Sequence, residues 1–163
     1  DNIEGFSVSG SLSNKVDVEQ VLLWMTELFL GLYVLHKKSL IHRDIKSDNL
    51  FLCNRKIKTQ GIKRKSTNST NNTDIILKIG DLGIAKVTEK NAYTICGTQH
   101  YMPPEVLNRE VYDNKVDIWA AGIVLHEMIT LEKPFQGSTD EIRDQVLSKS
   151  FSFPKNIDHR IQL

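Results

Sequence analysis

The chain has 163 residues, the length of one domain, and its 40% apolar and 25% charged residues are typical of a soluble globular protein. This composition excludes a mostly disordered chain, a collagen-like repeat and a disulfide-dense miniprotein. The net charge of +1 predicts neither nucleic acid nor an anionic membrane as a partner.

No uninterrupted apolar run reaches the roughly 18–20 residues of a membrane span, and the N-terminus carries no basic-then-apolar signal. We therefore expect an intracellular protein, cytoplasmic or nuclear. Its two cysteines, Cys53 and Cys96, are far apart and outside any metal-binding pattern, so we expect them to be reduced thiols.

The first predicted element follows a Ser-, Gly- and Asn-rich stretch over residues 1–16. Asp17 has the character of a helix N-cap, with Gln20 three residues later. Apolar residues then recur at helical spacing and predict a helix over residues 18–36. Trp24 and Phe29 widen its apolar face, so we expect this helix to be well buried.

Short strands are predicted over residues 39–41, 50–52 and 75–79, and the last two can pair as a hairpin. Between them, residues 55–74 form a basic and then Ser-, Thr- and Asn-rich insertion. Such a segment cannot bury enough apolar surface to offset its ordering entropy, which predicts a mobile surface insertion. A localisation or docking signal at Lys63-Arg64-Lys65 is the alternative.

The remaining pattern is polar over residues 87–99 and then helical. Apolar residues on nearly every side of residues 117–130 predict a helix at the centre of the domain. Ser138 and Glu141 form a capping box for a third helix over residues 139–149. The elements together predict a mainly α fold with short β hairpins.

Three short motifs carry the chemistry. They are His-Arg-Asp-Ile-Lys-Ser-Asp-Asn over residues 42–49, Asp-Leu-Gly over 81–83 and Gly-Thr-Gln-His-Tyr-Met-Pro-Pro-Glu over 97–105. Each alone is common, and an Asp before a Gly is usually a turn residue. In this order they resemble the signature set of protein kinases.

The likeness to eukaryotic serine/threonine kinases runs from about residue 17 to the end. It includes Asp117-Ile118-Trp119, similar to the start of the central helix of the family's large lobe. Phe51, Gly80 and residues 84–85 are similar to those of NIMA-related (NEK-like) kinases.

The resemblance implies ATP and Mg²⁺ as cofactors and protein substrates as partners. Asp44 would orient the acceptor hydroxyl and receive its proton, and Lys46 would lie near the γ-phosphate. Asn49 and Asp81 would hold Mg²⁺, with Gly83 allowing a sharp turn behind Asp81. Asp117 would hold the backbone around residues 42–43.

The resemblance also bears on specificity and regulation. Lys46 is similar to the lysine of serine/threonine kinases, and Thr98 resembles the threonine that bonds the catalytic Asp and Lys there. Phosphorylation of Thr94, with Arg43 as its partner, is a regulatory hypothesis. An unregulated exposed Thr94 and a buried Thr98 without a special role are the alternatives.

Two apolar roles follow from the same resemblance. Phe51 would form the floor under the adenine ring, although simple core packing is the alternative. His42 and Leu82 would belong to the hydrophobic column that joins the two kinase lobes. Leu82 stands where the family usually has Phe.

The sequence has no Gly-x-Gly-x-x-Gly and no Val-Ala-x-Lys strand before His42. We therefore interpret residues 1–163 as a partial kinase domain, namely a C-terminal large lobe whose small N-terminal lobe is absent. The expected function is protein serine/threonine phosphorylation, weak or negligible in these residues alone. A catalytically inactive kinase-like binding or scaffold module is the alternative.

Overall fold

A computed structural model describes residues 4–5, 17–54, 75–83, 86–87 and 98–151. The predictions about the insertion at 55–74, about Thr94 and about Cys96 lie outside these residues. Cys53 is a free thiol.

The first helix, α1 (Val18–Lys37), begins at the predicted N-cap and is one residue longer than predicted. The Asp17 carboxylate accepts hydrogen bonds from the backbone amides of Glu19 and Gln20 at 3.0 and 3.4 Å. These are amides that have no partner inside the helix. The residues buried along one face recur at helical spacing: Val21, Met25, Leu28 and Leu32.

The opposite face of α1 is exposed, so the expectation of a well-buried helix is wrong. Phe29 is 42% exposed and Leu30 is 60% exposed. The residue types on a helix do not show which side a neighbour covers, and exposed apolar side chains are common on protein surfaces.

The length and composition of α1 also correct the expectation about membrane spans. The helix has 20 residues, and an 18-residue window within it has a mean hydropathy of 1.5, enough by length and composition to cross a membrane. Glu19 and Glu27 interrupt its apolar residues, and for this reason a search for uninterrupted apolar runs overlooks it. Its buried face is part of the protein core.

The strands form two small antiparallel sheets. One has the order β1 (Glu4–Gly5), β3 (Leu50–Asn54) and β4 (Ile75–Ile79), and the other pairs β2 (Leu40–Ile41) with β5 (Lys86–Val87). The predicted β3–β4 hairpin is confirmed, with a register that runs from Leu50↔Ile79 to Asn54↔Ile75. Strands β1 and β5 were not predicted, because neither of these two-residue segments has the adjacent apolar residues that marked β2.

Helix α1 packs closely against β4. The Glu27 carboxylate accepts a hydrogen bond from the Leu77 amide at 2.6 Å. Gly31 faces Ile79 so closely that a Cβ on the glycine would lie 2.7 Å from the Ile79 Cδ1 atom. A glycine at this position therefore sets the distance between helix and strand.

Helices α2 (Pro104–Leu107), α3 (Lys115–Thr130) and α4 (Thr139–Ser148) complete the fold. The capping box that starts α4 is confirmed. Helix α3 begins two residues before its predicted start, and its Ala121 and Val124 side chains are fully buried in the same core as the apolar face of α1. The predicted central position of α3 is therefore confirmed.

Candidate active site

The loop after β2 is fixed to the start of α3 by one buried carboxylate. The backbone amide of His42 donates to Asp117 Oδ2 at 2.9 Å, and that of Arg43 donates to Asp117 Oδ1 at 2.8 Å. Asp117 is 1% exposed. The contact implied by the resemblance is therefore present.

A third donor reaches this carboxylate from the end of α1. His36 Nε2 lies 2.8 Å from Asp117 Oδ2. Arg43 has a φ of 69°, a left-handed conformation that is costly for a residue with a side chain. The three hydrogen bonds hold this strained turn directly before Asp44. Sequence reasoning missed His36, because no local pattern relates it to a residue 81 positions away.

Asp44 is the centre of a hydrogen-bonded cluster. Its Oδ2 atom accepts from Lys46 Nζ at 2.8 Å and from Asn49 Nδ2 at 3.0 Å. Its Oδ1 atom accepts from the amide and hydroxyl groups of Thr98 at 3.2 and 3.3 Å. Lys46 Nζ also donates to Thr98 Oγ1 at 3.0 Å. Four residues singled out in the sequence thus meet at one carboxylate.

These hydrogen-bonding neighbours keep Asp44 ionised. Burial alone would raise the pKa of Asp44, but the hydrogen bond and charge of Lys46 and the hydrogen bonds from Asn49 and Thr98 together outweigh it. The net effect is a pKa below the ordinary value. At neutral pH the group is therefore a carboxylate that can accept a hydrogen bond or a proton.

Asn49 links Asp44 to the segment that contains Asp81. Both hydrogen bonds donated by Asn49 Nδ2 go to Asp44, one to its backbone oxygen at 2.8 Å and one to its carboxylate. The Asn49 backbone oxygen accepts from the Gly80 amide at 2.9 Å. This bond extends the β3–β4 hairpin by one step. It joins the residue before Asp81 to the end of the motif over residues 42–49, called here the catalytic-loop motif.

The turn at Asp81 differs from the expectation about Gly83. Asp81 itself adopts the left-handed conformation, with a φ of 53°, whereas Gly83 does not have a positive φ. Aspartate tolerates this conformation better than most residues. The Gly83 amide donates to Asp81 Oδ1 at 3.1 Å, which closes the turn.

The side-chain oxygen atoms of Asp81 and Asn49 suit a hard cation. Asp81 is exposed and offers a carboxylate. Because Asn49 uses its Nδ2 for Asp44, its Oδ1 is the amide atom left for another partner. Within the described parts of the chain, no group of three or more His, Cys, Asp or Glu side chains could hold a metal ion. Mg²⁺ commonly takes only one or two protein carboxylates, and an Asp with an Asn oxygen fits that preference.

The apolar residues singled out in the sequence lie in different surroundings. Phe51 is half-buried on β3, and His42 is fully buried. His42 donates from Nε2 to the Gly80 carbonyl at 2.9 Å. Leu82 is 54% exposed and is not part of either buried hydrophobic cluster. It follows the left-handed Asp81 beyond the end of β4.

Sequence reasoning also missed a second polar cluster. The Tyr101 hydroxyl donates to Glu127 Oε2 at 2.6 Å and lies 3.1 Å from Ser47 Oγ. Burial and the hydrogen bond to Glu127 raise the pKa of Tyr101. This cluster connects the segment after Asp44 to α3, and no periodicity in the sequence pairs its members.

Comparison with known proteins supports one family. The family model described as "Protein kinase domain" matches residues 6–162. Human serine/threonine-protein kinase Nek5 is 36% identical over 74% of this chain and 15% of its own length. Serine/threonine-protein kinase atg1 of Dictyostelium discoideum is 34% identical over 91% of the chain and 20% of its own length.

A plant relative gives the same result. Serine/threonine-protein kinase ATG1a of Arabidopsis thaliana is 38% identical over 71% of the chain and 16% of its own length. The chain thus spans between a seventh and a fifth of the length of these relatives. The match along almost all of its own length shows that the chain belongs to the protein kinase domain family and resembles the Nek and Atg1 serine/threonine kinases.

Proposed function

We propose that this chain is the larger part of a kinase C-terminal lobe that transfers the γ-phosphoryl group of ATP to Ser or Thr hydroxyls of proteins. The observation that carries the proposal is the Asp44 carboxylate, kept ionised by Lys46, Asn49 and Thr98. An isolated structural aspartate does not need a lysine, an amide and a threonine from two separate motifs.

In this proposal Asp44 positions the attacking hydroxyl and accepts its proton as the hydroxyl oxygen bonds to the γ-phosphorus of ATP. The bond between that phosphorus and the bridging oxygen breaks in the same step, and ADP leaves with this oxygen. Lys46 bridges Asp44 and Thr98, and its ammonium group would lie beside the negative charge of the transferred phosphoryl group. Phosphoryl transfer depends mainly on positioning and charge neutralisation, which these fixed contacts provide.

Asn49 and Asp81 are the residues that would hold Mg²⁺, through an amide oxygen and a carboxylate. The ion, when bound, neutralises negative charge on the ATP phosphates. Phe51 would lie under the adenine ring.

A serine/threonine acceptor is favoured by two features. Lys46 contacts Thr98 Oγ1, the pairing implied by the likeness to that class. The three relatives compared are serine/threonine-protein kinases by name.

Regulation is a further part of the proposal. A phosphate on Thr94 would add about 1.5 to 2 negative charges and would pair with Arg43 next to Asp44. If the Thr94→Ala variant were fully active and no phosphate were found on this segment, the regulatory part would be wrong.

The 163 residues alone are proposed to transfer phosphate negligibly. Their sequence contains no Gly-x-Gly-x-x-Gly to cover ATP phosphates. They would supply one wall of a nucleotide cleft that forms between two lobes.

The test is phosphate transfer from radiolabelled ATP to a mixed Ser/Thr/Tyr peptide substrate. It uses the longest natural polypeptide that contains these residues, called here the full polypeptide, beside the 163-residue chain. We expect Mg²⁺-dependent label on Ser or Thr from the full polypeptide and almost none from the short chain. No transfer by the full polypeptide, with its fold intact, would favour the non-catalytic binding module.

A further inference from the structure

The residue before Asp81 is a glycine whose backbone is fixed on both sides. The Gly80 amide donates to the Asn49 carbonyl at 2.9 Å, and the Gly80 carbonyl accepts from His42 Nε2 at 2.9 Å. His42 is fully buried and Asn49 is 6% exposed, so neither partner can move without disturbing the catalytic-loop motif. The position of the Gly80 backbone is therefore determined by its neighbours.

The aromatic ring of Phe51 lies directly on this backbone. A Cβ atom added to Gly80 would lie 2.6 Å from Phe51 Cδ2 and 3.4 Å from Cζ, and closer still to Cε2. Separations below 3.0 Å are sterically prohibited for real side chains, so either the ring or the backbone would have to shift. Because two hydrogen bonds hold the backbone, the ring is the part that yields.

Phe51 is not on the face of β3 that packs into the protein core. Leu50 is buried in the core and Leu52 packs against it. Successive side chains of a strand point to opposite faces, so Phe51 lies on the face away from the core. It is half-buried there, and the absence of a side chain at Gly80 leaves the space that the ring uses.

We infer that Gly80 is a positioning residue for nucleotide binding: it holds the Phe51 ring in the plane that receives the adenine base. The inference rests on the proposed function, in which Phe51 forms the floor of the nucleotide site. It adds that this floor is set by a pair of residues, of which only one touches the base. A side chain at position 80 would therefore weaken nucleotide binding through Phe51 and not through Asp81.

The experiment is a double-mutant cycle in the full polypeptide, with KM for ATP, KM for peptide and kcat measured for each variant. Gly80→Ala is expected to raise KM for ATP by about tenfold and to leave kcat and KM for peptide within about threefold. Phe51→Val removes every ring atom named above and weakens ATP binding by itself. In that background Gly80→Ala is expected to change KM for ATP less than about twofold, because the colliding atoms are gone.

A matched control is the same substitution in α3. A Cβ on Gly122 would meet no described atom within 4 Å, so Gly122→Ala should leave all three kinetic constants unchanged. Direct titration with a fluorescent ATP analogue gives the same comparison as a dissociation constant and does not depend on turnover.

Three results would overturn the inference. The first is an unchanged affinity for ATP in Gly80→Ala. The second is a fall in kcat without a change in KM for ATP, which would mean that position 80 acts through Asp81. The third is an effect of Gly80→Ala that is at least as large without the Phe51 ring as with it, which includes loss of folding in the double variant alone. An inactive wild-type polypeptide that still binds the analogue would instead refute the proposed function, and the cycle would still be measured by titration.

Discussion

Asp44 carries the largest share of the proposed chemistry at the scale of single residues. Asp44→Asn keeps the size of the side chain but removes the negative charge and the proton acceptor. We expect kcat to fall about 10²–10⁴-fold, the usual contribution of acid–base catalysis, while the thermal unfolding midpoint changes little.

Asp48→Asn is the matched control for this variant. Asp48 is exposed in the same short stretch of chain, four residues away. The Asp48→Asn variant should have the same kcat as the wild-type protein. A kcat for Asp44→Asn within about twofold of wild type would remove Asp44 from the mechanism.

The pH dependence of activity tests how Asp44 is held. Burial raises the pKa of Asp44, but the hydrogen bond and charge of Lys46, together with the hydrogen bonds from Asn49 and Thr98, hold the folded-state pKa below its ordinary value. The stabilisation from the ionised form is complete above the ordinary pKa and is lost as pH falls through the lowered value. Lys46→Met removes the hydrogen bond and the positive charge that lower the pKa of Asp44. Burial, which raises this pKa, remains, so the pKa of Asp44 should rise.

The measurement is the acid limb of kcat/KM against pH, recorded on the residual activity of the variant. This limb should move to higher pH in Lys46→Met. Lys38→Met, which removes the same charge at the exposed end of α1, should leave it in place. An unmoved acid limb in Lys46→Met would show that Lys46 does not hold the charge of Asp44.

At the scale of secondary-structure elements, two helical glycines make opposite predictions. Alanine is favoured over glycine inside a helix by about 1 kcal/mol. Gly122→Ala in α3 should raise the free energy of unfolding by about this amount, because its Cβ meets no described atom within 4 Å. Gly31→Ala in α1 should gain none of it, because its Cβ would lie 2.7 Å from Ile79 Cδ1.

Denaturant unfolding of the variants measures this difference. Ile79→Val lacks the colliding Cδ1 atom and should restore the gain from Gly31→Ala. Equal stabilisation by Gly31→Ala and Gly122→Ala in the wild-type background would contradict the close packing of α1 on β4.

The anchoring of the catalytic loop to α3 gives a second prediction at this scale. Asp117→Ala would leave the buried amides of His42 and Arg43 without their acceptor. We expect it to lower the free energy of unfolding by about 3 kcal/mol or more. Thermal and denaturant unfolding would measure the loss.

Asp113→Ala is the control for this variant. Asp113 is exposed, and its carboxylate accepts a hydrogen bond from the Lys115 amide at 2.8 Å. It should cost about 1 kcal/mol or less. Similar losses for the two variants would mean that the Asp117 contacts do not anchor the loop.

Local signals in the sequence predicted much of the architecture. Asp17 and the Ser138–Glu141 pair marked helix starts, and β-branched runs marked the β3–β4 hairpin. These are interactions between residues close in sequence, or repeats of one pattern. The exposed Phe29 and the two-residue strand β5 could not be predicted, because they depend on which distant element lies alongside.

The same division holds for the candidate site. The likeness to a family predicted the contacts of Thr98 with Asp44 and Lys46, but not the hydrogen bonds that Asn49 donates to Asp44. His36 and the Tyr101–Glu127 pair join residues from separate elements, and nothing in their local sequence marks them. The left-handed backbone conformation occurs at Asp81 and not at Gly83, and it depends on how the chain leaves β4.

At the scale of the whole molecule, two residues with oxygen-bearing side chains flank one end of the β3–β4 hairpin: Asn49 directly before β3, and Asp81 two residues after β4. Helices α1 and α3 provide the core, and the catalytic-loop motif is fixed to α3 through Asp117. The hydrogen bond from the Gly80 amide to the Asn49 carbonyl joins Asn49 to the residue before Asp81. The central claim is that this end of the hairpin holds Mg²⁺ with ATP.

The Mg²⁺ dependence of phosphate transfer by the full polypeptide tests this claim most directly, compared between the wild-type protein and Asp81→Asn. We predict that Asp81→Asn retains its fold, loses at least about 100-fold in kcat and needs a higher Mg²⁺ concentration for half-maximal rate. A wild-type rate with an unchanged Mg²⁺ requirement in Asp81→Asn would contradict it.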